Sequence, residues 1–306
     1  MGALPDSSPV AAPARSSVPA WVRAIRPHQW AKNALLSVPA ISGHRILSME
    51  VLEPLGIAFI AYSLAASGVY VVNDLRDARA DRAHPTKATR PIAAGQLSSG
   101  VALAIAGSCF ALAFGIAWTL PKAFSICLAV YVALSTLYTF VLKRLLLIDV
   151  VTLSLLFTLR VIAGGFATAV EPSSWLLVFA VFFSTGLAFA KRYAELGGST
   201  LDPHDTLDGR AYRPNDLDMV RTVGVSAGML AVLVFALYAQ STSTRDLYSN
   251  PELLVVICPV LLYWFGRLWF LAGRAELDED PVVFALKDPV SWICGFVTLG
   301  LVLVAR

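Results

Sequence analysis

Nine runs of predominantly apolar residues constrain this chain more than any other feature. They lie near 24–43, 52–73, 99–120, 123–142, 147–169, 174–192, 217–240, 252–272 and 285–305. Each is long enough to cross ~30 Å of hydrocarbon as a helix, which satisfies its own backbone in lipid. With 57% hydrophobic and only 15% charged residues, and a mean hydropathy of +0.68, a soluble domain of this size is excluded. The expected fold class is an all-α membrane protein with nine transmembrane helices. Residues 1–20 contain no apolar signal region, and Asp6 stands where a myristoylation signal needs Ser or Thr, so they read as a disordered tail. Residues 21–306 read as a single polytopic domain.

Charge gives the orientation. Nineteen of the 24 lysines and arginines fall in five segments: the N-terminal stretch, 74–98, 143–144, 190–221 and 267–287. The positive-inside rule places those segments, and the N-terminus, in the cytoplasm, with the chain in the cytoplasmic membrane. The net charge of +3 is this bias, so no nucleic-acid partner is expected. Cys109, Cys127, Cys258 and Cys294 sit singly in apolar runs, which predicts neither a disulfide nor a zinc site.

Against that background the string NDLRDARADRAHPTKATRP, at 73–91, is anomalous. On a helix, at about 100° per residue, Asp74, Asp77 and Asp81 fall within an arc of roughly 60°, while Arg76 and Arg79 project elsewhere. Converging carboxylates repel unless a cation sits among them. Mg²⁺, with all-oxygen ligands and substrate phosphates, suits the site, which reads as one for a diphosphate. The second long polar loop, 193–216, also carries spaced aspartates (Asp202, Asp205, Asp208) and closes on Arg213–Pro214, as the first closes on Arg90–Pro91. The halves therefore read as diverged copies whose loops cap one cavity.

The NDxxDxxxD pattern at 73–81 resembles the signature of the UbiA superfamily of intramembrane prenyltransferases. Four further strings look like the decaprenyl-phosphate phosphoribosyltransferases and their bacterial relatives: IRPHQWAKN at 25–33, HPTKATRPIAAG at 84–95, LRVIAGG at 159–165 and AKRYAEL at 190–196. The resemblance implies a bundle of nine helices around a central cavity open to cytoplasm and lipid. It also implies Mg²⁺-dependent transfer of phosphoribosyl from phosphoribosyl pyrophosphate to a polyprenyl phosphate, with release of pyrophosphate. Aromatic prenyltransferases of the superfamily carry a DxxxD signature where this chain has YAEL, which weighs against that alternative. An aromatic polyprenyltransferase with a polyprenyl diphosphate donor is the second reading.

In the leading reading Asn73, Asp74, Asp77 and Asp81 hold Mg²⁺ against the pyrophosphate, and Lys87 and Arg90 bind phosphate. His84 reads either as structural or as a phosphate contact. Lys191 and Glu195 share a helix face at i and i+4. Lys191 is expected to act on the substrate, with Arg192 and Tyr212 as weaker candidates. Arg26, Gln29, Lys32 and Asn33 bracket Trp30 where the chain enters the membrane. Interfacial anchoring explains part of this cluster, and Lys32 is expected to meet the lipid phosphate. Arg160 lies deep in a span, where structural pairing and substrate contact are both open, beside Gly164–Gly165, which predict close helix packing. A transporter is disfavoured because the charges crowd one face instead of lining a route. Membrane lipids are expected partners, and oligomeric state is left open.

Overall fold

A computed structural model describes residues 18–83, 87–198, 206, 210–277 and 280–306. Most of the tail expected at 1–20, together with His84, Asp202, Asp205 and Asp208, lies outside the described residues. Every regular element among the described residues is helical. Long helices include α3 (Met49–Ala83), α4 (Ser99–Ala117), α5 (Lys122–Phe140), α6 (Ile148–Thr168), α7 (Ser174–Gly197), α8 (Leu217–Ala239) and α10 (Ile257–Gly273). Short helices precede α3, as α1 (Ala20–Ile25) and α2 (Val38–Ser42), and α9 (Thr242–Leu247) precedes α10. The chain ends in α11 (Pro281–Lys287) and α12 (Pro289–Ala305).

Seven helices among the described residues are long and apolar enough to cross a membrane, or eight if α11 and α12, bent by 82°, count as one span. Nine spans are therefore not found. The run at 24–43 is broken into α1, a 3₁₀ segment over Pro27–Ser37, and α2. Its chemistry explains the break. Pro27 disfavours the helical conformation in the residue before it, and Arg26 turns in the left-handed region at φ 52°. His28, Gln29, Lys32 and Asn33 then supply polar side chains that seek partners inside the protein.

Two features of the packing position the site. α3 has 35 residues, about 52 Å of helix, so it exceeds a bilayer's hydrocarbon thickness. Its last turns, which carry the aspartates, extend past its apolar part. The segment Pro27–Ser37 lies hard against α6: a Cβ on Gly164 would come within 2.0 Å of the Leu36 carbonyl oxygen. Only glycine permits that approach, as Gly164–Gly165 predict. Two apolar cores support the frame. One, around Tyr62, Phe124 and Leu128, joins α3 to α5 and α6; the other, around Phe189, Phe265 and Trp269, joins α7 to α10. Trp292, Phe296, Leu303 and Val304 on α12 stay exposed, as lipid-facing residues of an integral membrane protein do.

Candidate active site

Arg26, Arg90 and Lys143 divide the three aspartates of α3 among them. Asp74 is 3% exposed and receives hydrogen bonds from Arg26 Nη2 at 2.6 and 2.8 Å, with Arg90 at 3.3 Å. Asp81, also buried, takes Arg90 Nη1 at 2.7 Å. Asp77 pairs with Lys143 at 2.8 Å. Burial pulls the Lys143 ammonium below its ordinary value even with Asp77 beside it. Among the described residues no three acidic, histidine or cysteine side chains form a group that could hold a metal. The expectation of three carboxylates facing one point therefore needs correction. Tyr70, Asn73, Asp77 and Asp81 line a cavity of about 360 Å³, but Asp74 does not. Asp74 shares the arc of Asp77 and Asp81, but Arg26 covers both of its oxygens. Arg76 points away, as expected, and donates to the Phe140 carbonyl at 3.1 Å.

α7 supplies the facing wall. Lys191 and Glu195 both line the cavity, one turn apart. Arg192, about 100° round the helix, is fully buried behind it. Its Nε donates to Asp149 at 2.5 Å, and it also bonds Glu195 and the Tyr138 hydroxyl. Arg210 closes this network on Asp149 at 3.2 Å, Tyr138 at 3.1 Å and Glu195 at 3.4 Å. Tyr212 is buried too, and its oxygen accepts from Leu147 N at 3.3 Å. Burial, then the Asp149 carboxylate, pushes its phenol up to about 12. Arg192 and Tyr212 therefore support the wall and do not line it.

The 3₁₀ segment completes the cavity with Gln29 and Lys32, next to Arg26. Trp30 is not simply an interfacial anchor, because its indole donates to Ser67 Oγ at 3.0 Å. Asn33 is buried; it donates to Ser63 Oγ at 3.0 Å and accepts from Arg160 Nε at 3.0 Å. Lys32 forms an ion pair with Asp280. Burial pushes the Asp280 carboxyl up, but Lys32 and Lys191 outweigh it and hold it below the usual carboxylate range. Lys87 and Arg90 reach the same cavity. A second, apolar cavity of about 650 Å³, lined by Phe179, Phe183, Trp264 and Trp292 among others, adjoins the first, and Val282 of α11 lines both.

Sequence reading missed Tyr138, Lys143, Asp149, Arg210 and Asp280. Asp149 carried a signal, since it is an acid inside a run expected to span the membrane. Asp280 carried none, being one acid among several in a short polar stretch.

The described geometry is therefore a polar, cation-rich cavity beside an apolar one within an all-helical membrane bundle. A model of the UbiA prenyltransferase family matches residues 37–287. The chain belongs to the UbiA prenyltransferase family. Membership makes it a membrane-embedded transferase. It is 41% identical over 294 residues to the decaprenyl-phosphate phosphoribosyltransferase of Mycobacterium tuberculosis, covering 92% of each chain. It is 35% identical over 291 residues to the nodulation protein NoeC of Azorhizobium caulinodans, again covering 92% of each. It is also 37% identical to the uncharacterized protein y4nM of Sinorhizobium fredii, but spans only 54% of that protein's length. The UbiA homolog from Archaeoglobus fulgidus bound to GPP and Mg²⁺ shares the fold, with a TM-score of 0.69 at 15% identity over 92% of this chain and 99% of that one. The resemblance expected from the motifs at 25–33, 73–81, 84–95, 159–165 and 190–196 is thereby borne out.

Proposed function

We propose that this UbiA-family protein transfers 5-phosphoribosyl from phosphoribosyl pyrophosphate to a polyprenyl phosphate, working at the cytoplasmic side of the cytoplasmic membrane. The observation that carries the reading is the junction at Val282, where a charged cavity meets an apolar one. A donor with phosphates at both ends and an acceptor with an anionic head and isoprenoid tail need those two environments side by side. Relatives named decaprenyl-phosphate phosphoribosyltransferase support the same chemistry.

In the reaction an oxygen of the lipid phosphate forms a bond to C1 of the ribose as the bond from C1 to pyrophosphate breaks. The bonding pair leaves with pyrophosphate. Positive charge builds on the sugar, so little general base chemistry is required, and most of the work is charge stabilisation. Asn73, Asp77 and Asp81 present oxygen donors on the cavity wall, a set that fits Mg²⁺ once substrate phosphates complete its ligands. Bound there, Mg²⁺ would neutralise charge on the leaving pyrophosphate. Lys143 and Arg90, now on Asp77 and Asp81, can turn to phosphate oxygens. Asp74 holds Arg26 in place. Lys191 meets the donor, while Lys32, near Val282, meets the lipid phosphate.

The direct test incubates purified protein with radiolabelled phosphoribosyl pyrophosphate, Mg²⁺ and a polyprenyl phosphate. Label should enter the lipid phase, and its confinement to the aqueous phase would end the proposal.

A further inference from the structure

Around the polar cavity the carboxylates are matched by cations. Asp74 and Asp81 are held by Arg26 and Arg90, Asp77 by Lys143, Asp149 and Glu195 by Arg192 and Arg210, and Asp280 by Lys32. Lys191 and Arg160, also on the wall, form no ion pair with a carboxylate among the described residues. Lys191 makes no hydrogen bond or ion pair there, and Glu195, the acid one turn along its helix, is engaged by the two arginines. Arg160 is 5% exposed and bonds only neutral groups. Its Nε donates to Asn33 at 3.0 Å, Nη2 to the Tyr131 hydroxyl at 3.0 Å and Nη1 to the Leu156 carbonyl at 2.5 Å. A guanidinium carries five N–H donors and does not deprotonate, so donors and a full charge remain. The rings of Tyr131 at 4.8 Å, Phe157 at 5.5 Å and Tyr62 at 5.8 Å offset part of that charge, and the N–H donors left over suit an anion.

A hydroxyl gives independent support. Ser135 is 5% exposed and lines the cavity one turn along α5 from Tyr131. Its Oγ, though near the Tyr131 hydroxyl, makes no hydrogen bond of ordinary geometry. Position along α5 then separates this place from the aspartates. Tyr131 and Ser135 lie within α5, whereas Lys143, which holds Asp77, follows the end of that helix at Phe140, so Ser135 and Asp77 are set apart along the cavity wall.

We propose that Arg160 and Ser135, with Lys191 at the rim, form an inner subsite for a phosphate monoester, distinct from the aspartate end of the cavity. The identity of that monoester rests on the transfer reaction proposed above. It is either the 5-phosphate of the sugar donor or the head group of the lipid acceptor.

The test measures dissociation constants by calorimetry for full-length protein in nanodiscs. The probes are ribose 5-phosphate, geranyl monophosphate and Mg²⁺-pyrophosphate; the proteins are wild type, Ser135→Ala and Arg160→Lys. One monophosphate should weaken at least about tenfold in both variants, while Mg²⁺-pyrophosphate stays within about twofold of wild type. The monophosphate that weakens names the source. Should Arg160→Lys fail to fold, Ser135→Ala decides alone, since it leaves no buried charge unpaired. The subsite is overturned if neither monophosphate binds wild type, if both keep their wild-type constants in the variants, or if they weaken no more than Mg²⁺-pyrophosphate. Failure of the phosphoribosyl reading looks different: geranyl monophosphate would bind in a Ser135-dependent way while phosphoribosyl pyrophosphate with Mg²⁺, measured alongside, would not bind wild type, which removes the donor and keeps the subsite.

Discussion

Asp74 and Asp77 stand three positions apart on one helix and do different work. Asp77 faces the cavity and Asp74 faces Arg26. Asp77→Ala should lower turnover at least about a hundredfold, the scale of removing one group that stabilises developing charge, while folded yield stays near wild type. Normal turnover across a Mg²⁺ titration would remove Asp77 from the metal site. Asp74→Ala leaves the half-buried Arg26 without its carboxylate, while Arg90 keeps Asp81, and should cost on the order of 3 kcal/mol of stability, measured by thermal unfolding in detergent. Lys32→Ala should raise the apparent KM for the polyprenyl phosphate much more than that for phosphoribosyl pyrophosphate; equal rises would return Lys32 to a structural role. The Lys32–Asp280 pair also sets a pH dependence. Because the folded protein depresses the Asp280 pKa, the pair's stabilisation is fully present above an unfolded carboxylate value of about 3.9. It is lost as pH falls through the lower, folded value. Asp280→Asn should flatten the acid limb of thermal stability, and an unchanged limb would show that other carboxylates dominate it.

At the scale of elements, the segment Pro27–Ser37 matters most. It brings Gln29 and Lys32 to the cavity and Asn33 to Arg160 because Leu36 packs directly on Gly164. Gly164→Ala should push it off α6, at a cost of about 3 kcal/mol from overpacking, and weaken substrate binding together with stability. A variant with wild-type melting temperature and KM would show that the segment can shift without consequence. The apolar run at 24–43 was legible in the sequence, but its breakage was not. Hydropathy counts apolar residues over a window; Pro27, the left-handed turn at Arg26 and the hydrogen bonds of Trp30 and Asn33 act residue by residue.

For the whole molecule, ligand binding should be visible as stability. A ligand that binds only the folded state at a hundredfold excess over Kd stabilises it by about 2.7 kcal/mol. Phosphoribosyl pyrophosphate with Mg²⁺ should therefore raise the melting temperature, and Lys191→Ala should largely abolish the shift. Stabilisation by a polyprenyl diphosphate, with none from millimolar phosphoribosyl pyrophosphate, would favour an aromatic polyprenyltransferase instead. By itself the sequence determined the helical membrane class, the family, and many of the cavity's polar residues, including Arg26, Lys32, Asn73, Asp77, Arg90, Lys191 and Glu195. Those properties depend on local composition and on spacing along single helices. Only the tertiary structure decided that Asp74, Arg192 and Tyr212 are buried supports, that Asp149, Arg210 and Asp280 complete the charge network, and that Arg160 lies on the cavity wall without a carboxylate. Which cation meets which carboxylate depends on side chains brought together from helices far apart in the chain, and no periodicity within one helix encodes that pairing.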